Sequence, residues 1–197
     1  MTSDIPGLLL VLADPPPGVE EEFNAWYDTE HLPERAAIDG FVTARRYISL
    51  GDGPRYAALY DLASLAVLEG EAYKAVSGPN FSPWTRRVTS RSRPQRLTAE
   101  RSDARSGKPT GEASRLFLLR CAGGDAETAQ ALAAGLAASF DATPGHLQSR
   151  VFLGVEPARD FTLSVSEFSG NHIPPLDLAA FGNAAGRIML AATYRPY

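Results

Sequence analysis

Cysteine is nearly absent from this 197-residue chain: Cys121 stands alone. That excludes an intramolecular disulfide framework and a thiolate metal cluster, and makes a reducing cytoplasm the natural compartment. Histidine is scarce as well, limited to His31, His146 and His172. No two of them are four residues apart, so the helical spacing of a transition-metal site is missing, and the nearby Asp28, Glu30 and Glu34 do not supply it. A haem would need an axial ligand, and nothing in the sequence singles one out. No stretch approaches the roughly 18 apolar residues of a membrane span. Met1 to Leu12 has neither a basic leader nor a small-residue cleavage site, so export is not expected. There is also no Gly-x-Ser-x-Gly elbow, no Cys with a neighbouring His and no phosphate-cradling glycine loop. Cofactor-free chemistry, or none, is left.

What is present is ample apolar material: 44% of the residues are hydrophobic, enough for one large domain or two small ones. The net charge of -4 and a pI near 5.4 argue against a nucleic-acid partner. One basic run, Arg86 to Arg96, goes against that balance. It reads as the solvated face of an edge strand, where arginines discourage edge-to-edge pairing, or as an anion site.

Gly7 to Leu12 is a short apolar run stopped by Pro15-Pro16-Pro17, hence a strand followed by a loop. From Val19 the apolar positions Val19, Phe23, Trp26 and Tyr27 fall at helical spacing, with Glu20, Glu21 and Glu22 in the first turn where carboxylates suit the helix dipole. Phe41 to Leu50 and Tyr56 to Leu62 flank Asp52-Gly53, strong hairpin chemistry. Ala63 to Ala75 reads as a helix, Phe81 to Val88 as a helical turn, and Arg91 to Thr98 as a strand. The order β-α-β-β-α-β over residues 1–100 is a ferredoxin-like unit. Residues 101–114 are polar and read as a linker. The same order then returns over 115–197: strands at Arg115 to Cys121, Leu147 to Val155, Phe161 to Phe168 and Arg187 to Tyr194, with helices at Ala126 to Phe140 and Leu176 to Ala185. Gly40-Phe41-Val42-Thr43-Ala44-Arg45-Arg46-Tyr47 aligns with Gly145-His146-Leu147-Gln148-Ser149-Arg150-Val151-Phe152 at an offset of about 105 residues. The expected fold is therefore α+β: two tandem units whose antiparallel sheets pair through their open faces into one barrel.

The helix holding Trp26-Tyr27-Asp28-Thr29-Glu30-His31-Leu32-Pro33 concentrates chemistry that a surface helix does not need. On an ideal wheel Val19, Phe23 and Trp26 centre the apolar face, Glu30 falls near that centre, and Asn24, Tyr27 and His31 lie along one edge. A buried Glu30 must pair with an arginine such as Arg45 or Arg46, or sit protonated beside a cavity. If instead the helix ends before Pro33, Glu30 is solvated.

This run, followed by Gly40-Phe41 and the strand Ala44-Arg45-Arg46-Tyr47, resembles the EthD-like branch of the dimeric α+β-barrel superfamily. There an aromatic-rich first helix ends in His-x-Pro before a Gly-led strand. The resemblance implies a barrel with cavities between sheet and helices. It also implies a small enzyme, cofactor-independent in this case, of lyase, isomerase or oxygenase type, acting on a hydrophobic oxygenated aromatic or polyketide-like molecule; some relatives are haem enzymes. His31 would be the general acid/base, with Glu30 beside it. Trp26, Tyr27, Asn24, Arg45, Tyr47, Tyr60 and Trp84 would face the substrate or pack around it. The alternative is a non-catalytic carrier using the same cavity. Expected partners are a small molecule and the chain's own second half, an intrachain pseudo-dimer with room for further homodimerisation; neither nucleic acid nor membrane is expected. The second half carries Leu136 opposite His31, so one site per chain is expected.

Overall fold

The computed structural model describes residues 5–155, 157 and 159–197. Eight strands, β1 (Gly7–Ala13), β2 (Phe41–Ser49), β3 (Tyr56–Leu62), β4 (Gln95–Arg101), β5 (Arg115–Ala122), β6 (His146–Gly154), β7 (Phe161–Phe168) and β8 (Ile188–Pro196), form one closed antiparallel barrel. The order around it is β1-β3-β2-β8-β5-β7-β6-β4, with β4 returning to β1. Each half of the chain contributes four adjacent strands. The two halves meet at short ladders, Tyr47–Ser49 against Tyr194–Pro196 and Ala99–Arg101 against Phe152–Gly154.

Strand alternation decides what each side chain meets. Leu8, Leu10 and Leu12 of β1 point inward with Leu59, Leu97, Leu118 and Leu163, and side chains fill most of the interior. Leu9, Ala13, Tyr56, Ala58 and Tyr60 point outward under the N-terminal helices. Phe117, Leu119, Val151 and Phe168 do the same under α5 (Ala126–Phe140).

The helix after β1 does not stop before Pro33. It runs as α1 (Glu20–Trp26), a π-helical turn over Tyr27–His31, and α2 (Leu32–Ala36). The Leu32 amide bonds the Tyr27 carbonyl, five residues back. Pro33 thus sits in the first turn of α2, where its missing N–H costs little.

Other boundaries also move. The helix expected over Ala63 to Ala75 is broken by extended backbone at Gly70 into a 3₁₀ turn, Leu65–Glu69, and α3 (Glu71–Lys74). The helical turn expected over Phe81 to Val88 is a full helix, α4 (Pro83–Ser92), capped by Ser82 Oγ accepting from the Thr85 amide and ended by Arg93 in the left-handed region. Arg91 and Ser92 therefore belong to α4 and not to a strand. The edge-strand reading of the basic run fails for the same reason. Arg86, Arg87 and Arg91 lie on a helix, and β4 is paired on both sides.

The polar segment 102–114 is held against the barrel. The Ser102 amide donates to the Val151 carbonyl at 2.9 Å, Arg105 Nε to the Ser149 carbonyl at 3.1 Å, and the Thr110 amide to Glu167 at 3.1 Å. The closing helix is a 3₁₀ stretch, Leu178–Arg187, which packs Phe181 onto α5. Among the described residues no helix is long and apolar enough to cross a membrane.

Candidate functional site

The π turn determines which side chains of the first helix share a face. An ordinary helix would place Glu30 four residues on from Trp26 and beneath the same neighbours. The widened turn instead brings the fifth residue round, and the His31 ring stacks on Trp26 with centroids 4.3 Å apart and planes 28° apart. Tyr27 meets His31 edge-on at 5.2 Å. Glu30 is carried towards α4, where it accepts hydrogen bonds from Ser82 Oγ at 2.5 Å and Thr85 Oγ1 at 2.9 Å. Thr85 Oγ1 in turn accepts from Trp26 Nε1 at 2.9 Å. Glu30 thus fixes the indole on which His31 lies, and it pairs with neither Arg45 nor Arg46. The wheel misplaced it because a wheel assumes 3.6 residues per turn.

A cavity of about 100 Å³ opens between this helix and the outer face of β1 and β3. Trp26, Tyr27, His31 and Arg35 line it from the helix, Leu9, Val11 and Tyr60 from the sheet, and Tyr73 and Phe81 from the segment before α4. Among the described residues two buried nitrogens of this lining, His31 Nδ1 and Arg35 Nη1, have no hydrogen-bond partner, and the Tyr60 hydroxyl neighbours the Tyr27 phenol. Such atoms cost free energy unless something meets them, and here their residues line one void. The Arg35 side chain is anchored through Nη2 to the Val76 carbonyl at 2.7 Å, and its guanidinium lies 4.9 Å from the Tyr73 ring centre.

Burial, and then the Arg35 charge, push the His31 imidazole down to about 3, so it rests neutral. Burial pushes the Tyr27 phenol up to about 12 and raises that of Tyr60, so both rest as hydrogen-bond donors. The site is a neutral imidazole, two protonated phenols and one fixed cation in an apolar wall.

The structure brings together four of the residues singled out in the sequence: His31, Trp26, Tyr27 and Tyr60. The others lie elsewhere. Asn24 bonds Arg46 Nη2 at 2.5 Å and the Tyr56 hydroxyl at 3.0 Å, and Arg46 also pairs with Asp28 at 2.5 Å; this network pins α1 to the sheet. Tyr47 is buried inside the barrel, on the opposite side of the sheet from His31. Arg45 shares its face by alternation and borders a separate groove. Trp84 packs at the rim of the N-terminal helix layer, outside the cavity wall. Arg35 was missed, although it stands four residues after His31 and so shares its face.

The donor set does not fit a haem. His31 faces a void far below the roughly 300–1,000 Å³ of ordinary cofactor pockets. The His146 Nε2 is engaged by Ser149 Oγ at 2.9 Å and its Nδ1 lies 3.5 Å from Asp141, with Phe140 and Phe168 against the ring. His172 is exposed. Among the described residues no group of three or more His, Cys, Asp or Glu could hold a metal ion.

No family model and no curated protein sequence matches the chain. Solved structures do. The barrel is similar to that of an anthrone oxidase-like protein, with a TM-score of 0.69 and 13% identity over 99% of this chain and 92% of that one. It is also similar to a chlorite dismutase variant from Candidatus Nitrospira defluvii in complex with cyanide, with a TM-score of 0.58 and 9% identity over 99% of this chain and 92% of that one. These likenesses are of fold alone: an antiparallel α+β barrel, closed here by eight strands of one polypeptide.

Proposed function

We propose that the protein is a cofactor-independent, EthD-like enzyme that moves a proton on a small phenolic or enolisable aromatic ketone bound beside His31. The observation that carries this reading is that His31 and Arg35, each with an unpartnered buried nitrogen, line one apolar void together with the Tyr27 and Tyr60 phenols. The void of about 100 Å³ is smaller than the roughly 150 Å³ apolar cavity that takes benzene, so even a single oxygenated ring enters only if the walls give. His31, resting as the free base, takes a proton from the substrate's C–H or O–H. The oxyanion that forms is met by the Arg35 guanidinium and the Tyr60 hydroxyl, donors already in place and shielded from water. Burial is the larger cause of the low basicity of His31, and negative charge arising beside Arg35 offsets only the smaller, coulombic part. Trp26 and Tyr27 hold the ring, and Glu30 acts through Trp26. Isomerisation, elimination and oxygenation can all begin with this step.

The same reading takes the chain as a fused pair of ferredoxin-like units, 1–100 and 115–197, joined by 101–114. Support comes from the strand orders β4-β1-β3-β2 and β8-β5-β7-β6, and from positive-φ glycines, Gly40 and Gly145, leading equivalent strands. Both strands then shift register at the matching place, between Phe41 and Thr43 and between His146 and Gln148.

The test is turnover of a panel of single-ring phenolic ketones starting from 4-hydroxyacetophenone, followed by loss of substrate absorbance. His31→Gln is expected to lower kcat by about 10²-fold or more, and Arg35→Met comparably, while Glu30→Gln stays within several-fold. Turnover surviving His31→Gln within about threefold would remove the acid/base role. The low basicity of the empty-site imidazole favours one other reading, a carrier, in which panel members bind without being converted and His31→Gln weakens binding alone.

A further inference from the structure

Far from His31, on the other side of the sheet, a second cavity of about 510 Å³ opens at one end of the barrel. It lies where β1 and β2 begin and β3 and β4 end, and residues 107–109 roof it. The roof is fixed. The Gln148 amide donates to the Lys108 carbonyl and, at 2.8 Å, to Glu167, and Gly107 fits so closely that a Cβ there would meet the Gln148 side chain.

The walls divide by chemistry. Pro6, Val42, Leu62, Pro109 and Phe152 are apolar, whereas Arg101, Lys108 and Arg150 bring positive charge. Asp61 also lines the cavity, but its carboxylate is spent on the Thr43 hydroxyl at 2.8 Å and on Arg150 Nη1. Glu167, just behind, takes Arg150 Nη2 at 3.3 Å, the Thr110 amide and Gln148. Arg150, whose side chain is only 2% exposed, therefore has both terminal nitrogens paired, yet its Nε has no partner. Arg101 Nε is likewise buried and unpartnered. Two guanidinium N–H groups without acceptors, on the wall of a cavity with an apolar side and a surplus cation in its roof, lack an anion.

We propose that this barrel-end cavity is a second binding site, for a small organic carboxylate whose anionic group meets Arg101, Arg150 and Lys108 and whose apolar body lies on Phe152 and Pro109. The volume is that of ordinary small-molecule pockets, roughly 300–1,000 Å³. Occupation would cross-link β4, β6 and the 102–114 segment, which is where the two halves of the chain meet.

The experiment is calorimetric titration of the full chain at low salt with 4-phenylbutanoate, 2-naphthoate and the amide of each. At least one carboxylate is expected to bind saturably, with its amide about tenfold or more weaker. Lys108→Met and Arg101→Gln should each weaken the carboxylate about fivefold, and raised salt should weaken it further. His31→Gln should leave binding unchanged, which separates this site from the one proposed above. Three results would each overturn the proposal: equal binding of acid and amide, sensitivity to His31→Gln but not to Arg101→Gln, or no saturable binding of either carboxylate up to about 10 mM. Lys108 is exposed, so Lys108→Met is the variant expected to keep the fold.

Discussion

The two helix layers of the barrel rest on the same strand order, yet one is hollow and the other solid. Over the N-terminal half, a π turn, an arginine and six aromatics line a void, with unpaired buried nitrogens on His31 and Arg35. Over the C-terminal half, the regular helix α5 presents Gly135, and Phe181 of the 3₁₀ stretch lies directly on it, so close that an added Cβ would fall 2.4 Å from the ring. Leu136, Phe140 and Phe181 are fully buried there. One half has given its helix layer to stability, which frees the other to carry strain and unsatisfied polar groups.

The largest effect that should break this contrast is Phe181→Ala, which empties the solid side. Urea unfolding is expected to show a loss of about 3–5 kcal/mol, with no new affinity for phenols, because the side chains of the cluster around Phe181 are apolar. Gly135→Ala should cost about 1–3 kcal/mol by overpacking against the same ring. If it proves neutral in the same assay, the C-terminal layer is looser than it looks.

On the hollow side the signature is pH. In the unfolded chain an imidazole titrates near 6.5, whereas folded His31 stays neutral until about pH 3. Within that window the unfolded state binds more protons, so stability falls as pH falls, by up to about 1.4 kcal/mol per pH unit. His146, also lowered by burial, adds to the same trend. The difference between wild type and His31→Gln, followed by urea midpoints from pH 7 to 5, isolates the part due to His31; parallel curves would mean that the imidazole is not buried as described. The smallest effect is Glu30→Gln, where loss of the charged acceptor for Ser82 and Thr85 should cost about 1 kcal/mol in thermal unfolding.

Much of the scaffold was legible in the sequence. The boundaries read for Tyr56–Leu62, Phe161–Phe168 and Ala126–Phe140 coincide with β3, β7 and α5, because continuous apolar runs and an Ala/Leu-rich helix leave little choice of period. Local chemistry misled where a single residue changes the pitch. Pro33 reads as a stop, but one extra residue in the preceding turn accommodates it, and that residue exchanges Glu30 for His31 over Trp26. The cavity was illegible for another reason: Tyr60, Tyr73 and Phe81 reach it from segments distant in sequence, and only their packing leaves a void. Arg35 could have been found as a charge four residues from His31 on a buried face.

Closing the barrel within one polypeptide also has a consequence for solution behaviour. A barrel assembled from two subunits has a folded fraction that depends on protein concentration, and dilution can empty its sites. Here every strand finds both neighbours in the same chain, although at the two seams the ladders are only three residues long, so closure of the barrel needs no second molecule. The asymmetry between hollow and solid layers thus survives at any dilution, and two hollow layers cannot pair with each other.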